Sequence, residues 1–102
     1  MCVKPIGSHN YFVYILTNRT KTTLYVGVTN DIRERINAHK ENRSGFAYRY
    51  RCFYLLYFEH FQYINDAIDR EKQIKKWRRG KKEGLINSKN PDWDFIDPMD
   101  AD

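Results

Sequence analysis

The chain has 102 residues, 41% of them hydrophobic and 30% charged, a size and balance that suit one globular core and exclude wholesale disorder. Its 18 Lys/Arg and 13 Asp/Glu give a net charge of +5, divided unevenly: residues 1–91 carry +10 and residues 92–102 carry −5. The longest apolar run, Phe53 to Phe58, is six residues. That is far short of the ~20 a membrane helix needs.

Residues 1–10 hold Pro5, Gly7, Ser8 and Asn10 and read as an irregular leader. They lack the apolar stretch of an export signal, which points to the cytoplasm. Residues 11–17 are β-branched and aromatic and read as a strand, Asn18 to Thr23 as a polar turn, and Leu24 to Thr29 as a second strand. Together they make a β-hairpin. If residues 17 and 24 pair, Tyr14 faces Gly27 and Leu16 faces Tyr25, so both tyrosines project from one face. Such tyrosines either fill a core or line a site. Gly27 beside them leaves room for a ligand or for close backbone approach.

Asn30 reads as a helix cap, with Asp31 in the first turn and the helix running to about Glu41. Ile32 and Ile36 form its apolar stripe, and Arg35 and His39, also four apart, flank it. They read either as boundary residues or as the border of a pocket, where a guanidinium suits a phosphate. Residues 42–50 are basic and aromatic, contain Gly45, and read as an exposed loop. Residues 52–60 read as a third strand, with Leu55 and Leu56 suggesting burial on both faces. Cys2 and Cys52 lie far apart, without Cys-x-x-Cys or Cys/His ligand spacing, which excludes a zinc finger.

A second helix is expected over 65–78, with Ile64, Ala67, Ile68, Ile74 and Trp77 as its apolar stripe and Gly80 ending it through positive φ. A short helix follows over 81–87, and residues 97–102 read as a loosely ordered acidic tail. The order is β-β-α-β-α-α, a small α/β domain with a three-stranded sheet.

Glu71 breaks the pattern. It lies three residues after Ile68 and three before Ile74, on the apolar stripe. Burying a carboxylate there costs several kcal/mol unless it is paired or bound to a metal. Its readings are a functional role or a basic partner from another element. Arg70 to Lys82 holds eight Lys/Arg against one acid: Arg70, Lys72, Lys75, Lys76, Arg78, Arg79, Lys81 and Lys82. That is a basic face suited to phosphate contacts, or a solvated surface. Tyr48, Tyr50 and Trp77, in or near basic stretches, could stack on bases.

Together these positions resemble the GIY-YIG nuclease family. The first motif stands as Val13-Tyr14-Ile15 and the second as Tyr25-Val26-Gly27. They are followed by Val28-Thr29-Asn30-Asp31-Ile32-Arg33-Glu34-Arg35, by His39, and by Glu71 within Ala67 to Trp77. Val13 stands where the name-giving glycine-isoleucine pair would begin, and Val26 replaces isoleucine. The ending, Leu85-Ile86 then Asn90-Pro91-Asp92-Trp93, looks like the small stand-alone bacterial branch rather than the excision-repair protein. The resemblance covers residues 11–96.

The resemblance implies a three-stranded antiparallel sheet flanked by helices and phosphodiester cleavage with one divalent metal, Mg2+ or Mn2+. Glu71 would be the metal ligand, and Tyr14 and Tyr25 would position or deprotonate the attacking water. Arg35 would stabilise phosphate charge, and His39 would support a tyrosine or the phosphate. Asn87 and Asn90 compete for a late active-site asparagine. Asn87 is taken as the candidate, because Asn90 before Pro91 also reads as turn chemistry. The expected function is a DNA endonuclease, structure-selective or repair-associated, with no membrane association. The alternatives are a non-catalytic nucleic-acid-binding module of the same fold, an RNA-directed nuclease, or a nuclease whose specificity comes from a protein partner.

Overall fold

The computed structural model describes residues 10–101, so most of the expected leader lies outside the described residues. Strands β1 (Tyr11–Thr17), β2 (Leu24–Thr29) and β3 (Tyr54–Phe61) form one antiparallel sheet in the order β2-β1-β3. The helices are α1 (Ile32–Glu41), α2 (Phe46–Arg49), α3 (Ile64–Lys76) and α4 (Arg79–Lys89). No helix among the described residues is long and apolar enough to cross a membrane.

The hairpin forms as its residue types require. Asn18 builds the turn, its Oδ1 accepting from the N–H groups of Thr22 (2.8 Å) and Thr23 (3.1 Å). The pairing is Thr17 with Leu24, Leu16 with Tyr25 and Tyr14 with Gly27, the register read from the sequence. Central β1 is covered on both faces, so its side chains divide between two cores. Phe12, Tyr14 and Leu16 pack with Ile32 and Ile36 of α1, Ala47, Cys52 and Leu55. Val13 and Ile15 pack with Val26, Leu56, Tyr57, Ala67 and Ile74 of α3, and Ile86 of α4. Leu55 and Leu56 thus serve opposite faces. Strand alternation alone puts Leu55 and Leu56 on opposite faces. The bulge, where Ile15 pairs with Tyr57 and Leu16 with Leu55, leaves Leu56 as the extra residue and lets Leu56 and Tyr57 share one core.

Several boundaries differ from the sequence reading. Asp31, not Asn30, caps α1, its carboxylate accepting from the Glu34 N–H at 3.0 Å. The expected loop over 42–50 contains α2. Cys52 belongs to the turn that closes α2, its N–H donating to the Ala47 carbonyl at 2.7 Å, so β3 starts two residues later than expected. Burial pushes the Cys52 thiol up to about 11, which leaves it inert at neutral pH.

Helix α3 stops at Lys76 because Trp77 and Arg78 are extended. Gly80 therefore does not end a helix; it sits in the first turn of α4. Ile64 is 39% exposed and lies off the stripe, which rests on Ala67 and Ile74. The chain after Pro91 is also pinned. Ile96 bridges to Leu55 at the outer side of β3, its N–H donating to the Leu55 carbonyl at 2.8 Å, and a 3-10 turn follows at Pro98–Ala101.

Candidate active site

Tyr14 is a core residue, only 1% exposed. It stands on central β1, directly across from Gly27 on edge strand β2. The phenol lies over that glycine: a methyl group built on Gly27 would meet Tyr14 Cζ at 2.5 Å. The room expected at Gly27 is therefore filled by the protein's own ring, which crosses the strand toward the open edge of the sheet.

There the hydroxyl bonds to His39 Nε2 at 3.0 Å. His39 comes from α1, one turn after Arg35, as the i, i+4 spacing requires. Tyr25 stands edge-on to the His39 ring, with centroids 4.9 Å apart at 74°, and its own ring is 6.3 Å from that of Tyr14. Arg35 and His39 line a hollow of about 210 Å3 with Tyr25, Asn42 and Phe46.

Glu71 reaches this place from the other side of the sheet. Its helix packs by Ala67 and Ile74 on the face opposite α1 and touches both β1 and β2. Glu71 falls between those two buried residues, four after one and three before the other, with a side chain only 16% exposed. Its ion-pair partner is Lys75 of the same helix, at a long 3.5 Å. The site is thus assembled at the rim of β2, where elements of both layers meet.

The electrostatics follow from this crowding. Burial, reinforced by the neighbouring Tyr25 and Glu71, holds the Tyr14 phenol well above the usual tyrosine range, and the Arg35 guanidinium opposes that without cancelling it. Burial and the Arg35 charge hold His39 below the usual imidazole range. Both groups are therefore neutral near pH 7: a phenol that keeps its proton and an imidazole free to accept one.

The structure brings Tyr14, Tyr25, Arg35, His39 and Glu71 together and leaves Asn87 out. The Asn87 side-chain oxygen accepts from the Trp93 indole N–H at 2.6 Å, and Trp93 packs on the α3/α4 face. Asn90 is engaged too, donating to the carbonyls of Leu56 and Asp94, each at 2.9 Å. Both asparagines tie down the chain after α4.

The basic run also divides. Arg70 is bound to Glu59 through Nε and Nη2, each at 3.0 Å. Arg79 pairs with Glu83 at 2.9 Å and donates to the carbonyls of Thr22 and Lys21 in the hairpin turn. Lys81 lies 4.4 Å from the centre of the Trp77 ring. Lys72, Lys76 and Arg78 are exposed, and Lys82 lies with Lys75 in a second hollow beside Leu24, Tyr25, Val26 and Phe46.

Sequence reasoning missed Glu59, which receives both Arg70 and the Tyr57 hydroxyl and is held below the usual carboxylate range although its burial works the other way. It missed Phe46 as well, a half-exposed ring stacked on Tyr25. The only signal for Phe46 was an aromatic residue in a basic segment.

Residues 10–84 match the GIY-YIG catalytic domain. A UPF0213 protein of Clostridium perfringens is 40% identical over 80 residues, which is 78% of this chain and 85% of that protein. One from Syntrophus aciditrophicus is 38% identical over 87 residues, 83% and 97% of the respective chains. Among solved structures, the solution structure of a UPF0213 protein from Bacillus halodurans is similar, with a TM-score of 0.54 and 30% identity over 82% of this chain and 89% of that one. Because the match spans both motif strands and the helix that carries Glu71, the chain belongs to the GIY-YIG family.

Proposed function

We propose that the chain is a divalent-metal-dependent endonuclease that hydrolyses DNA phosphodiester bonds. The observation that carries this reading is the Tyr14–His39 hydrogen bond, 3.0 Å long and within reach of the Arg35 charge. A buried, protonated phenol bonded to a neutral imidazole is a proton path. With the ring proton on Nδ1, His39 Nε2 accepts from the Tyr14 hydroxyl. As water attacks phosphorus, the Tyr14 oxygen takes a proton from the water while its own passes to His39. The imidazole becomes the base, and the phenol never has to persist as an anion.

The other side chains supply the rest. Arg35 is exposed and offers its fork of donors to the non-bridging phosphate oxygens as charge accumulates on them. Tyr25 fixes the His39 ring edge-on, so Nε2 stays aimed at Tyr14. Glu71 is the candidate metal ligand. No cluster of three or more His, Cys, Asp or Glu that could hold a metal exists among the described residues, so a cation caged by protein groups alone does not fit. One partly buried carboxylate with a distant partner fits a hard cation such as Mg2+ or Mn2+, which keeps its waters and shares substrate phosphate. Such a cation supplies charge neutralisation at the phosphate.

The test is cleavage of labelled duplex, single-stranded, flap and branched DNAs by wild type and Glu71→Ala, each with magnesium and with EDTA. Cutting by wild type with magnesium alone is expected. Cutting that survives EDTA or the substitution overturns the mechanism. Binding of all DNAs with no cutting replaces it with a non-catalytic binding module.

A further inference from the structure

An aromatic ladder leaves the site through α2. Phe46 stacks on Tyr25, with ring centres 5.9 Å apart at 29°, and Tyr50 lies against Phe46 at 4.6 Å. Phe46 is 50% exposed and Tyr50 44%. The guanidinium of Arg49 lies 5.9 Å from the centre of the Tyr50 ring. Cys52 and Ala47 anchor α2 in the core beneath, so both rings are displayed on a supported turn.

The surroundings say what such rings face. Tyr25 and Phe46 together wall two hollows. One contains Arg35 and His39; the other contains Lys75 and Lys82. An exposed phenyl between two cationic hollows suits a ligand that alternates flat apolar faces with negative charge. A nucleotide chain has that pattern: phosphates for the hollows and a base for the rings. The neighbouring aromatics do not share this arrangement. Tyr48 turns inward against Phe53, and Trp77 belongs to the opposite core.

We propose that Phe46 and Tyr50 form a stacking platform for an unpaired nucleobase next to the phosphate held at Tyr14, Tyr25 and Arg35. The proposal rests on the reading of that site as a DNA nuclease and adds its substrate class: DNA with an unstacked nucleotide at the point of cleavage. A base in a continuous duplex is covered by its neighbours on both faces and cannot lie on the ladder without being extruded.

The experiment uses the full chain carrying Glu71→Ala, so that DNA stays intact. Single strands with 2-aminopurine at successive positions, and the same strands in blunt duplexes, are titrated by fluorescence. Quenching at a restricted set of positions in the single strand is expected. Tyr50→Ala and Phe46→Leu should each weaken single-strand binding about fivefold or more. Duplex affinity should change less than about twofold, and Phe46→Trp should restore single-strand binding. Circular dichroism of each variant separates loss of stacking from loss of fold.

Equal weakening on both DNAs, or none on either, overturns the platform. Quenching with no cutting by the Glu71-intact protein in magnesium leaves the platform standing and overturns the nuclease. Cutting without base-specific quenching does the reverse. Failure to bind either DNA overturns both.

Discussion

Tyr14 and Gly27 face each other across β1 and β2, and the phenol of the first occupies the space a side chain on the second would need. The glycine is required by its partner's ring. Its absent side chain lets a residue of the central strand deliver a hydroxyl to the sheet edge. Gly27→Ala is expected to displace that ring, costing about 1–3 kcal/mol in stability through overpacking. Cleavage should fall roughly a hundredfold from misplacement of the hydroxyl. Urea unfolding and initial rates check both parts. Gly84→Ala, where an added methyl meets nothing within 4 Å, is the control and should stabilise α4 without changing the rate.

Glu71→Gln keeps the size of the side chain and removes its charge. The substitution breaks the 3.5 Å ion pair with half-exposed Lys75, which contributes at most about 1 kcal/mol. Thermal stability should therefore change little while magnesium-dependent cleavage falls by roughly a hundredfold or more. Isothermal titration with Mn2+ would show the weakened metal binding directly. Full activity in Glu71→Gln would remove this residue from the site.

In the proposed mechanism, acid should silence cleavage through His39. Its folded pKa is lowered by burial and by Arg35, so the unfolded chain takes up the proton first as pH falls. The fold gains nothing from protonation, and the stability associated with the neutral ring is complete above about 6.5 and declines below it. Once Nε2 carries a proton it no longer accepts from Tyr14. The rate of single-turnover cleavage is expected to drop on the acid side with a midpoint below about 6.5, the usual imidazole value. His39→Gln should be slow and should lack that limb.

Two bases of the same run should behave differently. Arg79 braces the hairpin turn and pairs with Glu83, whereas Lys76 is exposed. Lys76→Ala should lower the salt dependence of DNA binding by about one unit of slope and leave the melting temperature nearly unchanged. Arg79→Ala should lower the melting temperature and alter the slope less. Affinity measured at several salt concentrations separates them.

The strands were legible because their residues could do little else: β-branched and aromatic runs flank a turn built on Asn18, and the pairing of Tyr14 with Gly27 follows from that turn. Glu71 was legible as a charge on an apolar stripe. Two of the misread site residues share one property: their role depends on a partner that another segment brings. Asn87 looked available until Trp93 came to it, and Arg70 looked free until Glu59 did. Helix α2 has four residues, too few for any periodicity to show. That the two layers meet at β2 is a property of the assembled sheet, which no local pattern encodes.

The bridge between Leu55 and Ile96 lies on the outer side of β3, the border of the sheet opposite the one where the candidate site lies. An uncovered border strand is a template for a second molecule, and short covering segments are one way proteins avoid aggregation. Shortening the chain before Ile96 would therefore do more than remove negative charge. It would expose the Leu55 carbonyl on the outer side of β3 and open that border to edge-to-edge pairing.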